Sequence, residues 1–304
     1  MSVVTDQAQT LRHLVREVEQ QHQKASAAVP THRPPAPRPR SASIIAVTSG
    51  KGGVGKTNVA VNLAIRLSTL GRRVVLMDAD LGTANADVLC NLTAPATLAH
   101  VVAGRRTLEQ VMIDAPGGFR LIPGASGLGR IAAMGDAERN RLMEQVHALE
   151  QDADLIVIDT GAGVNPNVLS FAMAADQLLV VTTPEPTAIT DAYALTKIIA
   201  RQPKRPPIGI LVNMVRDAAE ARNVFSRIDA TAREILQLEP RYAGHVPADT
   251  RVPQAVRLRR PFVLESPNCD ASRCIAQLAH RIDRHASEPN QHGLLQRMMS
   301  WLVR

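Results

Sequence analysis

The sequence predicts a doubly wound α/β fold built on a mostly parallel sheet of about seven or eight strands. From residue 44 to about residue 287, apolar runs of four to six residues alternate with helical stretches. Continuous apolar runs are typical of strands that helices cover on both faces. With 304 residues, 45% of them hydrophobic, the chain is long enough to bury one such core. In this fold class the ligand site lies at the carboxyl ends of the strands.

The predicted strands follow one another along this region, and short helical appendages are expected on either side of them. The predicted strands are residues 44–48, 74–78, 119–122, 155–159, 178–182, 208–212 and 242–245. The chain is therefore predicted to divide into four parts. These are an N-terminal helix (1–24), a linker (25–43), an α/β domain (44–287) and a C-terminal amphipathic tail (288–304).

The N-terminal part is predicted to be a short amphipathic helix. Its apolar residues share one helical face: Leu11, Leu14, Val15 and Val18. Residues 25–43 contain five prolines with arginines between them. A segment of this composition cannot pack a core of its own, so we expect an extended linker.

A glycine-rich loop follows the first predicted strand and leads into a helical stretch. It reads Ser49-Gly50-Lys51-Gly52-Gly53-Val54-Gly55-Lys56-Thr57. In a strand–loop–helix context such a P-loop holds phosphates with its backbone N–H groups and with the helix N-terminus. Lys56 would reach the β- and γ-phosphates, and the Thr57 hydroxyl would bind Mg²⁺. The predicted nucleotide contacts in this segment are Gly50, Lys51, Gly52, Gly53, Val54, Gly55, Lys56, Thr57 and Asn58.

Acidic residues end two of the predicted strands beside this loop. Asp80 is the candidate that positions the attacking water, because phosphoryl transfer depends mainly on positioning and charge. Asp78 is assigned either to the Mg²⁺ shell or to the organisation of the loop. Asp159 ends an apolar strand of the Walker B form and would act on Mg²⁺ through water. Gly161 and Gly163 would let the backbone after Asp159 move with the γ-phosphate.

The base pocket is predicted from the ends of the last two strands. The side-chain amide of Asn213 is suited to the edge of a purine. Residues 214–217 do not spell the Asn-Lys-x-Asp pattern that selects guanine, so ATP is the expected nucleotide. Pro247 and Asp249 form a candidate lid on the base, and an ordinary turn explains them equally well.

The charge of the chain is uneven. The formal net charge is +7, and from Ala200 onward 17 basic residues face 10 acidic ones. An acidic partner, nucleic acid, an anionic membrane or a solvated Arg-rich surface would each account for this excess. The three cysteines show no paired framework, and the chain has neither an eighteen-residue apolar run nor a secretory signal. These features predict a cytoplasmic protein.

The C-terminal tail has the pattern of an interfacial amphipathic helix. Its apolar residues share one helical face: Leu294, Leu295, Met298, Trp301 and Leu302. Arg297 and Arg304 would meet acidic head groups at an anionic membrane surface. A terminal helix docked on the body fits the pattern equally well, and the two readings are compatible.

Lys51, five residues before Lys56, gives these motifs their resemblance to a known family. Across roughly residues 44–278 the chain resembles the deviant Walker A ATPases of the MinD/ParA family. The resemblance implies an ATP-dependent homodimer in which Lys51 reaches the phosphates of the partner subunit. It also implies slow, Mg²⁺- and dimer-dependent ATP hydrolysis, with Lys51, Lys56 and Asp80 as the catalytic residues.

Within that family the chain resembles most the flagellar branch, the FlhG group, which is also called FleN or YlxH. Residues 182–193 and the tail are similar to that group, and Asp6-Gln7-Ala8-Gln9-Thr10-Leu11-Arg12 is similar to its Asp-Gln-Ala-x-x-Leu-Arg motif. The resemblance implies that the N-terminal helix stimulates the GTPase FlhF, with Gln7 acting at the partner's active site. The partner-binding residues implied are Asp6, Gln7, Ala8, Leu11 and Arg12.

The same resemblance implies further partners and leaves other functions open. A FleQ-type transcription activator and flagellar switch (C-ring) proteins are partners of the group, and reversible binding to the inner face of the membrane is its expected location. A MinD-like division-site ATPase would share the site and the tail. A ParA-type DNA-segregation ATPase would use the basic C-terminal third, but the apolar tail argues against DNA. A scaffold that binds ATP without hydrolysing it is a further alternative.

Overall fold

The computed structural model describes residues 42–80, 84–124 and 136–285, together with Leu294. Eight strands of the described chain form one sheet. They are β1 (Ser43–Ser49), β2 (Val74–Ala79), β3 (Ile113–Asp114), β4 (Arg120–Ile122), β5 (Leu155–Ala162), β6 (Gln177–Thr182), β7 (Ile208–Val215) and β8 (Arg241–Pro247).

The helices alternate with these strands, as the sequence predicts. The described helices are α1 (Lys56–Thr69), α2 (Ala86–Leu89), α3 (Leu98–Val102), α4 (Leu108–Val111), α5 (Asp136–Asp152), α6 (Pro166–Ala174), α7 (Pro186–Ala200), α8 (Ala218–Leu236), α9 (Arg251–Arg257), α10 (Phe262–Glu265) and α11 (Asp270–His285). Local sequence explains several of their starts. Asn165 caps α6 by accepting a hydrogen bond from the Val168 N–H, and Asp217 caps α8 in the same way from Glu220.

The order of strands in the sheet is β3-β4-β2-β5-β1-β6-β7-β8, and neighbours are parallel except β3 and β4. The predicted fold class is therefore confirmed, and each of the predicted strands overlaps a strand of the structure. The sequence prediction missed β3. This strand is two residues long and antiparallel at the sheet edge, so it lacks the apolar run of a buried parallel strand.

Helices cover both faces of the sheet, and the side chains of each strand alternate between the two layers. In β1, Ile44 and Ala46 belong to the core beneath α5, α6, α7 and α8. Ile45 and Val47 belong to the core beneath α1 and α11. This alternation is the packing expected of a doubly wound sheet.

Strand register brings the candidate site residues together at the carboxyl ends of the central strands. Asp159 of β5 lies opposite Val47 of β1 on one side and Asp78 of β2 on the other. The loop that follows β1 therefore emerges beside the acidic ends of β2 and β5. Their functional side chains meet because the strands are parallel and nearly level.

The first described residue, Ala42, and the last, Leu294, both contact Glu150 of α5. The backbone N–H of Ala42 donates to the carbonyl oxygen of Glu150, and the N–H of Leu294 donates to the Glu150 side chain. Leu294 is buried in the core and so is not on the surface in this arrangement. The other predicted membrane-facing residues lie outside the described residues, as does the N-terminal motif. No described helix has both the length and the apolar character to cross a membrane.

Candidate nucleotide site

The P-loop connects β1 to α1 in a conformation that requires glycine. Gly55 has φ +84° and stands at the N-cap of α1. Gly50 has a different constraint, since a Cβ at this position would lie 2.2 Å from the backbone of Asp191 in α7. Any larger residue would push the loop away from α7. The loop thus presents backbone N–H groups and a helix N-terminus toward the cleft.

Lys56 is held inside the site by two carboxylates. Its Nζ lies 2.8 Å from Asp159 Oδ1 and 3.8 Å from Asp80 Oδ2. Complete burial raises the pKa of Asp159, and the charge of Lys56 opposes that effect. The structure therefore brings together three of the residues predicted for phosphate, metal and water.

The carboxylate of Asp159 also has capacity for a cation. Thr57 donates a side-chain hydrogen bond to Asp159. Within the described residues, Asp159 Oδ2 is buried without a hydrogen-bond partner. A buried carboxylate oxygen beside a threonine hydroxyl is the hard-oxygen donor set that suits Mg²⁺ and its waters. Thr57 and Asp159 thus fit the predicted metal role.

Asp78 is committed to the loop that follows β2. Its carboxylate accepts hydrogen bonds from the backbone N–H groups of Asp80, Asn85 and Ala86 at 3.0–3.1 Å. Burial and the neighbouring Asp159 raise the pKa of Asp78 to about 7. Of the two roles predicted for Asp78, these contacts favour loop organisation, and they leave its place in the Mg²⁺ shell a prediction.

The loop after β5 lies close to Asp80. A Cβ at Gly161 would lie 3.6 Å from Asp80 Oδ1, and the N–H of Gly163 donates to the Ser49 carbonyl at 2.8 Å. The start of the P-loop therefore contacts the loop after β5, and that loop lies beside Asp80 in the loop after β2. The movement of Gly161 and Gly163 with the γ-phosphate stays a prediction.

Lys51 points to the loop between β6 and α7. Its Nζ donates to Glu185 Oε1 at 2.5 Å and to Thr187 Oγ1 at 2.9 Å. The hydrogen bond from Lys51 lowers the pKa of Glu185. About a third of the Lys51 side chain remains exposed, and the residue lines the cleft at the P-loop. The sequence prediction gave no role to Glu185 or Thr187, although both lie in the segment 182–193 that is similar to the FlhG group.

The cleft at the P-loop has a volume of about 500 Å³. Its walls come from the P-loop and from the carboxyl ends of β6 and β7, including Thr183, Pro184, Met214 and Arg216. A cavity of this size belongs to the range of small-molecule and cofactor sites. Met214 and Arg216 were not predicted, because a methionine and an arginine after a strand carry no nucleotide signature by themselves.

The predicted base-pocket residues lie at neighbouring strand ends, but two of them have other contacts. The Asn213 side chain donates its N–H to the carbonyl oxygen of Val54 at 2.8 Å and so holds the P-loop. Asp249 pairs with Arg251 at 2.8 Å, which lowers the pKa of Asp249 to about 2. Pro247 ends β8 opposite Val215. The roles of these residues toward the base remain predictions.

Comparison with known proteins places this geometry in a class. A family model described as an AAA domain matches residues 42–207, and one described as NUBPL iron-transfer P-loop NTPase matches residues 132–283. The structure of MinD from Pyrococcus horikoshii, complexed with Mg-ADP, superposes with a TM-score of 0.65. That likeness covers 83% of this chain and 100% of the other at 25% identity. The fold and the site therefore define a P-loop ATPase.

Two sequence relatives define the family more narrowly. The chain is 40% identical to the antiactivator FleN of Pseudomonas aeruginosa, over 86% of its own length and 93% of FleN. It is 34% identical to the flagellum site-determining protein YlxH of Helicobacter pylori, over 82% and 86% of the two chains. The chain belongs to the MinD/ParA family of P-loop ATPases, in the FlhG group with FleN and YlxH. The family predicted from Lys51 and Lys56 is confirmed.

Proposed function

We propose that this chain is an ATP-dependent dimerisation switch that regulates the number and placement of bacterial flagella. The observation that carries the switch is Lys51, which a surface loop holds at the rim of the cleft instead of inside it. The flagellar output rests on the similarity to FleN and YlxH, whose names describe an antiactivator and a flagellum site-determining protein.

ATP binding would begin by redistributing charge around Lys56. In the structure this lysine neutralises Asp159, and the triphosphate would draw it away. Asp159 and Thr57 would then hold Mg²⁺, which supplies positive charge to the phosphates. Asp80, already within 3.8 Å of Lys56, would orient the attacking water. ATP is preferred to GTP because residues 214–217 lack the guanine-selective pattern.

Dimerisation would transfer Lys51 from Glu185 to the phosphates of the partner subunit. The dimer would then present two amphipathic tails to an anionic membrane, so that two weak anchors act together. Leu294 would leave its buried position for the tail to bind lipid. Hydrolysis would reverse these steps and return a monomer that is free of the membrane.

Glu185→Gln is expected to favour the dimer. The substitution weakens the ion pair between Glu185 and Lys51, which frees Lys51 for the partner subunit. Half-maximal dimerisation should then need about two- to fivefold less ATP analogue. The effect is small because exposed ion pairs contribute little. Sedimentation at increasing nucleotide concentration measures this. Glu220→Gln is the matched control, since Glu220 lines the same cleft but pairs with Arg216. A dimer that forms less readily in Glu185→Gln than in the control would contradict the assigned role.

The N-terminal segment would deliver the flagellar output by stimulating FlhF. We expect the full chain to raise GTP turnover by a cognate FlhF, and a version lacking residues 1–24 to lose that effect. Gln7→Ala should lose it too, whereas Gln9→Ala, at a variable position of the motif, should retain it. If neither the full chain nor the deletion stimulates FlhF, the MinD-like division-site function takes first place.

A transcription activator of the FleQ type is a second candidate partner. The support is the name of FleN, an antiactivator, and the extent of the similarity to it. Binding of a purified activator to the ATP-bound chain, compared with the ADP-bound chain, tests this proposal. Flagellar switch (C-ring) proteins remain proposed partners on the similarity alone.

A further inference from the structure

A polar cavity lies between the edge strand β8 and the helices α8 and α11. Its volume is about 110 Å³, and it shares no lining residue with the nucleotide cleft. The side chains and backbone that line it include Arg222, Tyr242, Gly244, His245, Gln277 and Arg281. None of these residues has a role in the proposed ATPase cycle.

The guanidinium group of Arg281 is pressed against the backbone of β8. A Cβ at residue 244 would lie 2.4 Å from Arg281 Nη2, and Gly244 has φ +126°, so only glycine permits this approach. The Nε of Arg281 is buried and, within the described part of the chain, has no hydrogen-bond partner. A buried cationic donor without an acceptor is costly, and Arg281 lines a cavity that has room for an acceptor.

A second arginine lines the same cavity. The acidic residues Glu220 and Asp229 of α8 pair with Arg216 and Arg233. These pairs leave Arg222 without a carboxylate partner among the described residues. Two guanidinium groups therefore line one small cavity with no carboxylate between them.

His245 and Tyr242 lie at the wall of this cavity. Burial, and then the charges of Arg281 and Arg222, lower the pKa of His245, while Asp217 opposes them. Asp217 is engaged as the cap of α8, where it accepts the Glu220 N–H at 2.8 Å. The hydroxyl of Tyr242 lies 3.0 Å from His245 Nδ1, which places another hydrogen-bonding group at the cavity wall.

We propose that this cavity binds a phosphate group through the guanidinium groups of Arg222 and Arg281. Arginine offers planar, charge-assisted donors that match phosphate oxygens. At roughly 10–15 Å³ for each water-sized group, the cavity holds several such groups, which is enough for a phosphate. The Gln277 amide and the Tyr242 hydroxyl supply uncharged donors. The site would use part of the basic excess in the last third of the chain, where 17 basic residues face 10 acidic ones.

An apolar groove of about 130 Å³ adjoins this cavity and shares Tyr242 and Arg281 with it. Apolar side chains from β6, β7 and α11 line the groove: Leu178, Leu179, Ile208, Leu278 and Ile282. The phosphate could therefore be free in solution or be the head group of a lipid whose chain enters the groove. Both sources share the same recognition by arginine.

Calorimetric titration with inorganic phosphate tests the site. The P-loop is first filled with the Mg²⁺ complex of a non-hydrolysable ATP analogue, because that loop also binds phosphate. We expect Arg281→Gln and Arg222→Gln each to weaken binding about tenfold or more, and Arg227→Gln, an exposed control on α8, to change it less than about twofold. Equal affinity in all variants, or no binding to the unaltered chain, would overturn the proposal. Should Arg281→Gln fail to fold, the exposed Arg222 decides the matter.

A second titration separates the two sources of phosphate. Dihexanoyl phosphatidic acid, kept below its micelle concentration, carries the same head group with short apolar chains. Affinity about tenfold above that of inorganic phosphate, lost in Arg222→Gln, assigns the site to a lipid head group. Equal affinities with the same dependence on Arg222 assign it to free phosphate. A lipid affinity that ignores both arginines would contradict the site.

Discussion

Asp80→Ala is expected to lower ATP turnover about a hundredfold, because positioned groups of this kind contribute about 10²–10⁴-fold to proton and water chemistry. ATP binding and dimerisation should persist. Binding should persist because Lys56 does not depend on Asp80 for its position. Its Nζ lies 3.8 Å from Asp80 and only 2.8 Å from Asp159, which the variant keeps. Phosphate release in single-turnover experiments, together with sedimentation of the ATP-bound protein, measures the two properties separately.

The matched control for this substitution is Asp87→Ala in the same segment. The Asp87 carboxylate accepts the N–H of Val88 at 2.8 Å and belongs to the start of α2. We expect its removal to change turnover only a few-fold. Unchanged turnover in Asp80→Ala would remove Asp80 from its role as the water-positioning residue. Loss of ATP binding in Asp80→Ala would assign it instead to holding Lys56.

Lys51→Gln should leave a monomer that still binds ATP. Each dimer loses two charge-assisted contacts to phosphate, which at about 1.5–3 kcal/mol each raises the dimer dissociation constant by about a hundredfold or more. Turnover should fall with the dimer, because in the proposed cycle Lys51 of the partner subunit completes the site. Light scattering at fixed ATP analogue, compared with Lys204→Gln as an exposed control, measures the effect. A stable dimer in Lys51→Gln would contradict the action of Lys51 across the interface.

The fold was predictable because most of its strands are apolar runs, which can be recognised from local sequence without knowing which strands pair. The positions of the P-loop and Asp159 were predictable for a similar reason, since each motif consists of contiguous residues beside a strand. β3 was missed, because two residues at a sheet edge bury too little to leave a hydrophobic pattern.

The contacts that join distant segments could not be predicted. Glu185 is 134 residues from Lys51 along the chain, and neither segment contains a pattern that indicates this contact. The same holds for Asn213 and Val54, 159 residues apart. Asp78 and Asp80 show a further limit, since two carboxylates one residue apart at a strand end have the same sequence signature. In the structure, three backbone N–H groups donate to the Asp78 carboxylate, and this contact set distinguishes the surroundings of the two residues.

Glu150 has a consequence for how other proteins meet this one. Its carbonyl oxygen accepts a hydrogen bond from the N–H of Ala42, and its carboxylate accepts one from the N–H of Leu294. Glu150 of α5 therefore contacts both Ala42 and Leu294. A protein that binds this part of α5 would contact Ala42 and Leu294 together. Release of Leu294, which the proposed function requires, would then change the surface that such a protein binds.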